Sequence, residues 1–177
     1  MTEHSHSGHR RRNVLRAIGA GSVAALAGCL GGNGEDVEDW RTASLEDATS
    51  GESFRVADIE SPTLVHTFAV NCLTCRSQQG EFVTLWGQRD DFEIVELSVD
   101  PNDSPEAIAS HAEAMGLDWR LGVAPEPVVG SLVEEFGQVM SVSAQSKVVL
   151  ECPDGTTATR SKVSSSADLA SALEDTC

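Results

Sequence analysis

Leu64-Val65-His66-Thr67-Phe68-Ala69-Val70-Asn71-Cys72-Leu73-Thr74-Cys75-Arg76 is the stretch that decides the fold. Its first half is apolar and β-branched, which predicts a buried strand. After the two cysteines, Phe82, Val83, Leu85 and Trp86 recur at helical spacing, which predicts a helix reaching about Arg89. Cys72 and Cys75 therefore fall at a strand-to-helix junction. Cysteines three apart in the first helical turn lie close enough to form a disulfide. The first of them sits where free backbone N–H groups and the helix dipole stabilise a thiolate. A structural zinc site would need a second pair of ligands at similar spacing, and none follows in the folded part of the chain. Two inert buried thiols are the bland alternative; a dithiol built for exchange is the reading preferred here.

Outward from this junction, Ser50-Gly51-Glu52-Ser53 signals a turn, and Phe54-Arg55-Val56-Ala57 alternates like a half-buried strand, so a short hairpin is expected upstream. Downstream, Phe92 to Val99 predicts a second strand. Ser104-Pro105-Glu106 then starts a helix that runs to Met115 and stops at Gly116: serine can cap, proline fits the first helical position, and the acid suits the dipole. Trp119 to Val123 predicts a short strand and Pro127 to Phe136 a helix. Lys147–Leu150 and Thr156–Thr159 flank the turn Pro153-Asp154-Gly155, and Ser166 is expected to cap a last helix over Ala167–Glu174. A strand, a crossover helix and a second strand imply a right-handed βαβ unit, and the closing hairpin adds antiparallel strands. The expected fold class is α/β, a three-layer α/β/α sandwich around a central mixed sheet.

The first 28 residues read differently. His9 to Arg16 is basic, and Ala17 to Gly28 is apolar, rich in small residues and too short to span a bilayer as a helix. Arg11-Arg12-Asn13-Val14-Leu15-Arg16 resembles a twin-arginine export signal. Leu26-Ala27-Gly28-Cys29 resembles a lipoprotein processing site, with Cys29 as the lipidated residue; an ordinary cleavage site that happens to contain a cysteine is the alternative. Gly31 to Asp39 is glycine-rich and acidic, lacking the apolar side chains needed to fold. The expected organisation is a signal peptide over 1–28, a flexible acidic tether over 29–42 and one domain over 43–177. The expected location is the extracytoplasmic face of the cell membrane, with the lipid as anchor.

Four of the 12 basic and one of the 28 acidic residues lie in 1–28, leaving eight against 27 and a formal net charge of −19. That charge excludes a nucleic-acid partner. Lysine is limited to Lys147 and Lys162, and the acids are spread along the chain. The composition resembles that of halophilic archaeal proteins, whose surface carboxylates are screened by salt.

With order and motif together, residues 43–177 resemble thioredoxin-like proteins of the redoxin, TlpA and Sco (SenC) branch. Leu97-Ser98-Val99-Asp100-Pro101-Asn102-Asp103-Ser104-Pro105-Glu106 is similar to the Sco signature that follows the second strand, and Leu150-Glu151-Cys152-Pro153-Asp154-Gly155 to that family's hairpin turn. Sco proteins bind copper through two cysteines and a histidine and serve oxidase assembly. In this chain the cysteines are separated by two residues instead of three, and Ala144 stands at the histidine position. Losing that imidazole removes one of three ligands suited to copper. Of the two histidines in the domain, His66 shares a strand face with Leu64 and Phe68 and is expected in the core, while His111 is expected on the acidic surface. Asn71 and Ser146 occupy positions where ordinary thioredoxins carry tryptophan and a cis-proline, and Ala69 stands where a peroxidase of this superfamily has threonine.

The resemblance implies a thiol–disulfide oxidoreductase in which Cys72 attacks and Cys75 resolves. Its expected partners are extracytoplasmic proteins with thiols or disulfides, and no cofactor is expected. A Sco-like copper chaperone is the alternative, and a peroxiredoxin-like antioxidant a weaker one. In such a fold the last helix ends near the hairpin turn, so Cys152 and Cys177 are expected to form a structural disulfide, with two unrelated thiols as the alternative because chain termini are often loose.

Overall fold

The computed structural model describes residues 39–177. The expected signal peptide, Cys29 and most of the tether lie outside the described residues. Within them the chain forms β1 (Leu45–Glu46), β2 (Ser53–Phe54), β3 (Thr63–Phe68), α1 (Leu73–Trp86), β4 (Glu93–Ser98), α2 (Pro105–Met115), β5 (Arg120–Val123), α3 (Glu126–Phe136), β6 (Val148–Glu151), β7 (Thr157–Arg160) and α4 (Ser166–Thr176). Five strands make one sheet in the order β5-β4-β3-β6-β7. The β3/β4 and β4/β5 pairs are parallel; β6 and β7 are antiparallel additions. This is the mixed-sheet thioredoxin-like α/β fold.

Alternation along the central strands sends side chains to two separate cores. Leu64 and Phe68 of β3 and Ile94 of β4 meet Phe82 and Leu85 of α1, Ile108 of α2 and Leu169 of α4 on one face. On the other, Val65, Val95 and Leu97 meet Val128 and Leu132 of α3, with Trp40 and Met140. Each fully buried side chain of this kind contributes about 1.5–3 kcal/mol.

The helix boundaries follow from their caps. Ser104 Oγ accepts the Ala107 N–H at 3.3 Å to start α2, and Gly116 ends it with φ +67°, a left-handed conformation open to glycine. The last helix begins one residue earlier than expected. Ser165, not Ser166, is its cap, because Ser165 Oγ both accepts the Asp168 N–H at 3.1 Å and donates to the Asp168 carboxylate at 2.8 Å.

Two further expectations are corrected. The stretch after Phe54 does not continue as a strand: Val56–Asp58 is a 3-10 turn that buries Val56, and the hairpin of β1 and β2 forms its own small sheet. That hairpin lies against the edge of β5, where the Ala48 N–H donates to Leu121 O at 2.7 Å. Gly122 makes the approach possible, since a Cβ there would stand 2.5 Å from Glu46 O.

The tether also ends sooner than residue 42. Trp40 is fully buried, donates from Nε1 to Glu135 at 2.9 Å, and packs edge-on against Phe136. Beside it, Arg41 bridges Glu135 at 2.7 Å and Glu151 at 2.8 Å. The partners of this anchor lie about 90 to 110 residues away in the chain, so local pattern carries no sign of it.

Candidate functional site

β3 delivers the chain to Ala69, and the next residues turn into α1, whose cap is Cys72 itself. Cys72 Sγ accepts the Cys75 N–H at 3.1 Å, so a free N–H of the first turn points at the sulfur that would carry a thiolate charge. The two cysteines are bonded, with Cα atoms 5.2 Å apart. Their exposures differ: Cys72 is half-buried, whereas Cys75 is inaccessible to solvent. An attacking group from solution therefore meets Cys72 first.

The turn that carries the dithiol is held from the neighbouring strand. Asp103 Oδ2 accepts the Val70 N–H at 2.9 Å and the Ser98 hydroxyl at 2.6 Å, joining the end of β4 to the residues before Cys72. On the other side Arg76 donates to Val70 O at 3.1 Å. The acidic turn after β4, notable in the sequence for its motif, thus has a direct structural role at the site.

Behind Cys75 lies a residue that the sequence reading did not single out. Lys162, in the loop between β7 and α4, places Nζ 3.2 Å from Cys75 Sγ. The same ammonium donates to Thr67 O and Ser146 Oγ, each at 3.3 Å, and to Ser143 O. Burial pulls its pKa down to about 8, against the opposing attraction of the Glu96 carboxylate. Ser143 O also stands 3.4 Å from Cys75 Sγ. The available signal was compositional: Lys162 is one of only two lysines in a strongly acidic chain. Ser146, near the position where ordinary thioredoxins carry a cis-proline, is buried and donates to Thr67 O at 2.8 Å.

A layer of buried polar groups lies one turn deeper. Glu96 is fully buried and accepts from His66 Nδ1 at 2.6 Å, from Gln79 Nε2 at 3.1 Å and from Trp119 Nε1 at 3.0 Å. Gln79 Oε1 is 2.9 Å from His111 Nε2, whose ring stacks on Phe68. His66 occupies the core as expected, but His111 does not lie on the surface: it is 6% exposed, because α2 turns this position towards α1 and β3. Burial lowers the pKa of both imidazoles, most directly that of His66, where Glu96 opposes the shift only in part. Both histidines are thus engaged away from the sulfurs. Among the described residues no group of three or more His, Cys, Asp or Glu side chains is placed to hold a metal ion.

The surface beside the dithiol is mixed, with Asn71 and Arg76 exposed. Leu73, between the cysteines, is 78% exposed, and Val142 and Val163 are also exposed. Their chain neighbours Ser143 and Lys162 both touch Cys75, which places Val142 and Val163 one residue along the chain from the site. Cys152 and Cys177 are bonded at the opposite end of the sheet, with Cα atoms 5.4 Å apart; Cys152 follows Glu151, which pairs with Thr63 at the start of β3.

No protein-family model matches the chain, and no curated protein does. Solved structures do match, at low identity. A thioredoxin-family thiol:disulfide interchange protein from Chlorobium tepidum aligns with a TM-score of 0.63 and 17% identity, covering 77% of this chain and 94% of that one. A Sco/SenC-family lipoprotein from Bacillus anthracis aligns at 0.62 and 17%, covering 77% and 94%. A secreted Mycobacterium tuberculosis disulfide oxidoreductase, homologous to Escherichia coli DsbE, aligns at 0.60 and 14%, covering 76% and 96%. The likeness establishes a thioredoxin-like fold, here with a Cys-x-x-Cys disulfide at the head of its first long helix.

Proposed function

We propose that this chain is an extracytoplasmic thiol–disulfide oxidoreductase, lipid-anchored to the membrane, that exchanges Cys72–Cys75 with cysteines of other proteins. The observation that carries the proposal is the asymmetry of the pair: an accessible sulfur capping a helix, bonded to an inaccessible one. A substrate thiolate attacks Cys72 Sγ, the Cys72–Cys75 bond breaks, and its electron pair leaves on Cys75. A second substrate thiolate then attacks the substrate sulfur of the mixed disulfide and releases Cys72 as thiolate. The substrate is oxidised by two electrons and the protein reduced; the same steps reversed reduce a substrate disulfide.

The exposed Leu73 side chain between the two cysteines favours a polypeptide substrate over a small thiol, because a flexible chain can cover it while presenting its sulfur. The test is exchange with a reduced, unfolded polypeptide carrying two cysteines, compared with reduced glutathione at equal thiolate concentration. Faster reaction with the polypeptide supports the proposal; equal rates would remove the polypeptide from it. For the anchor, Cys29→Ala is expected to release the domain from membranes, and a variant still membrane-bound would contradict lipidation at Cys29.

The Sco-like alternative, copper delivery, lacks support in the donor set. Two thiolates remain after reduction, Ala144 stands where the third ligand is expected, and His66 and His111 are held by Glu96 and Gln79. A tight one-to-one Cu(I) complex weakened by loss of a non-cysteine residue would reinstate it.

A further inference from the structure

We infer that Lys162 is a catalytic residue of the exchange, carrying a positive charge against Cys75 Sγ and exchanging a proton with that sulfur as the disulfide opens and closes. The inference rests on the proposed redox role of the Cys72–Cys75 pair and extends it to a residue outside the motif. Cys75 is fully buried, so the thiolate that leaves when Cys72 is attacked departs into a site without water contact. An unpaired buried thiolate is costly, and its neutralisation must come from the protein. The Lys162 ammonium is 3.2 Å from that sulfur and is held there by Thr67 O, Ser143 O and Ser146 Oγ, three neutral acceptors that fix its position without neutralising it.

The step balances in both directions. When the disulfide opens, the S–S electron pair goes to Cys75 Sγ, a proton moves from Lys162 Nζ to it, and a thiol and a neutral amine remain; the thiol can then donate to Ser143 O, 3.4 Å away. When a mixed disulfide on Cys72 is resolved, the amine takes that proton back, the Cys75 thiolate attacks Cys72 Sγ, and the bond from Cys72 to the substrate sulfur breaks with its electron pair leaving on the substrate as thiolate. Such a transfer needs a donor and acceptor of similar basicity. Burial has brought the lysine to about 8, close to an ordinary thiol at ~8.5. The titratable groups whose charge reaches Lys162 are Glu96 from β4 and His66 from β3. The His66 imidazole titrates below its ordinary range, so a transition near pH 8 does not belong to it.

The test follows opening of each disulfide in the oxidised full chain by dithiothreitol, quenched and mass-mapped from pH 6.5 to 9.5, with rates divided by the dithiothreitol thiolate concentration. For the wild type, the rate at Cys72–Cys75 is expected to fall as pH rises through about 8, where Lys162 loses its proton. Lys162→Met is expected to open about 100-fold more slowly at pH 7, the low end of what a positioned acid–base group contributes, and to lose the fall. Lys162→Arg keeps the charge but holds its proton throughout, so its rate should stay level across the range. A Lys162→Met protein that opens as fast as wild type with the same profile overturns the inference. Should that variant not fold, an arginine variant with the wild-type fall overturns it equally. The Cys152–Cys177 bond is the internal reference: wild-type Cys72–Cys75 opening no faster than it would defeat the redox reading itself, whereas fast opening unaffected by Lys162 defeats only the role of the lysine.

Discussion

His66 Nδ1 lies 2.6 Å from Glu96 Oε1, and both side chains are fully buried. A carboxylate can only accept, so the imidazole donates from Nδ1 and leaves Nε2 as a bare lone pair, which has no partner. Glu96 also takes hydrogen bonds from Gln79 and Trp119, and it therefore holds β3, α1 and the segment before β5 to one point beneath the dithiol. Glu96→Ala strands all three donors in a dry core and is expected to cost about 3–5 kcal/mol. Urea denaturation measures it; a loss under 1 kcal/mol would show that water or repacking satisfies those donors.

Both histidines give stability a pH dependence of known sign. Their folded pKa values are lowered, foremost by burial, so the unfolded chain binds protons more readily once pH falls below ~6.5. Stability is expected to be fully present above that pH and to decline on acidification from 7 towards 5. His66→Gln combined with His111→Gln should flatten the profile in that window. Denaturation midpoints at half-unit intervals check it, and an unchanged slope in the double variant would assign the loss to other groups.

Gly122→Ala is expected to destabilise the domain by about 1–3 kcal/mol, because the new methyl would meet the backbone oxygen of Glu46 and push the β1–β2 hairpin off the sheet edge. Hydrogen exchange should show the loss of protection at the Ala48 and Leu121 amides, which join hairpin and edge. Unchanged protection there would mean that the hairpin gives way without detaching.

The Cys152–Cys177 bond closes a chain separation of 25 residues, for which loop entropy gives about 3.5 kcal/mol. Cys177→Ser is expected to lose about that much stability and to raise exchange in α4, while leaving the rate of Cys72–Cys75 opening unchanged. A variant as stable as wild type would show the constraint to be absent from the unfolded chain's energetics.

Much of the fold was legible because its signals are local. The β3–α1 junction, the Ser104-Pro105-Glu106 start and the Pro153-Asp154-Gly155 turn each carry their own geometry in a few residues. Trp40 was misplaced for the opposite reason: a lone tryptophan in an acidic stretch carries no local sign of its burial, which is decided by Glu135 far along the chain. His111 was legible, because with Ile108, Ala112 and Met115 it falls at helical spacing on the buried face of α2. At the candidate site the two sulfurs could be read from spacing. Lys162 could not, because its place behind Cys75 depends on how the β7–α4 loop returns across the sheet, 87 residues after the cysteine it touches.

The central claim is that Cys72 is the exchanging sulfur and Cys75 its buried partner. The most direct measurement is mass-mapped capture of an oxidised two-cysteine polypeptide, whose disulfide a free Cys72 thiolate can attack, by Cys72→Ser and Cys75→Ser side by side. Cys75→Ser is expected to accumulate a mixed disulfide through Cys72, and Cys72→Ser, whose remaining sulfur is inaccessible, to accumulate none. Equal capture by the two variants, or none by either, would contradict it.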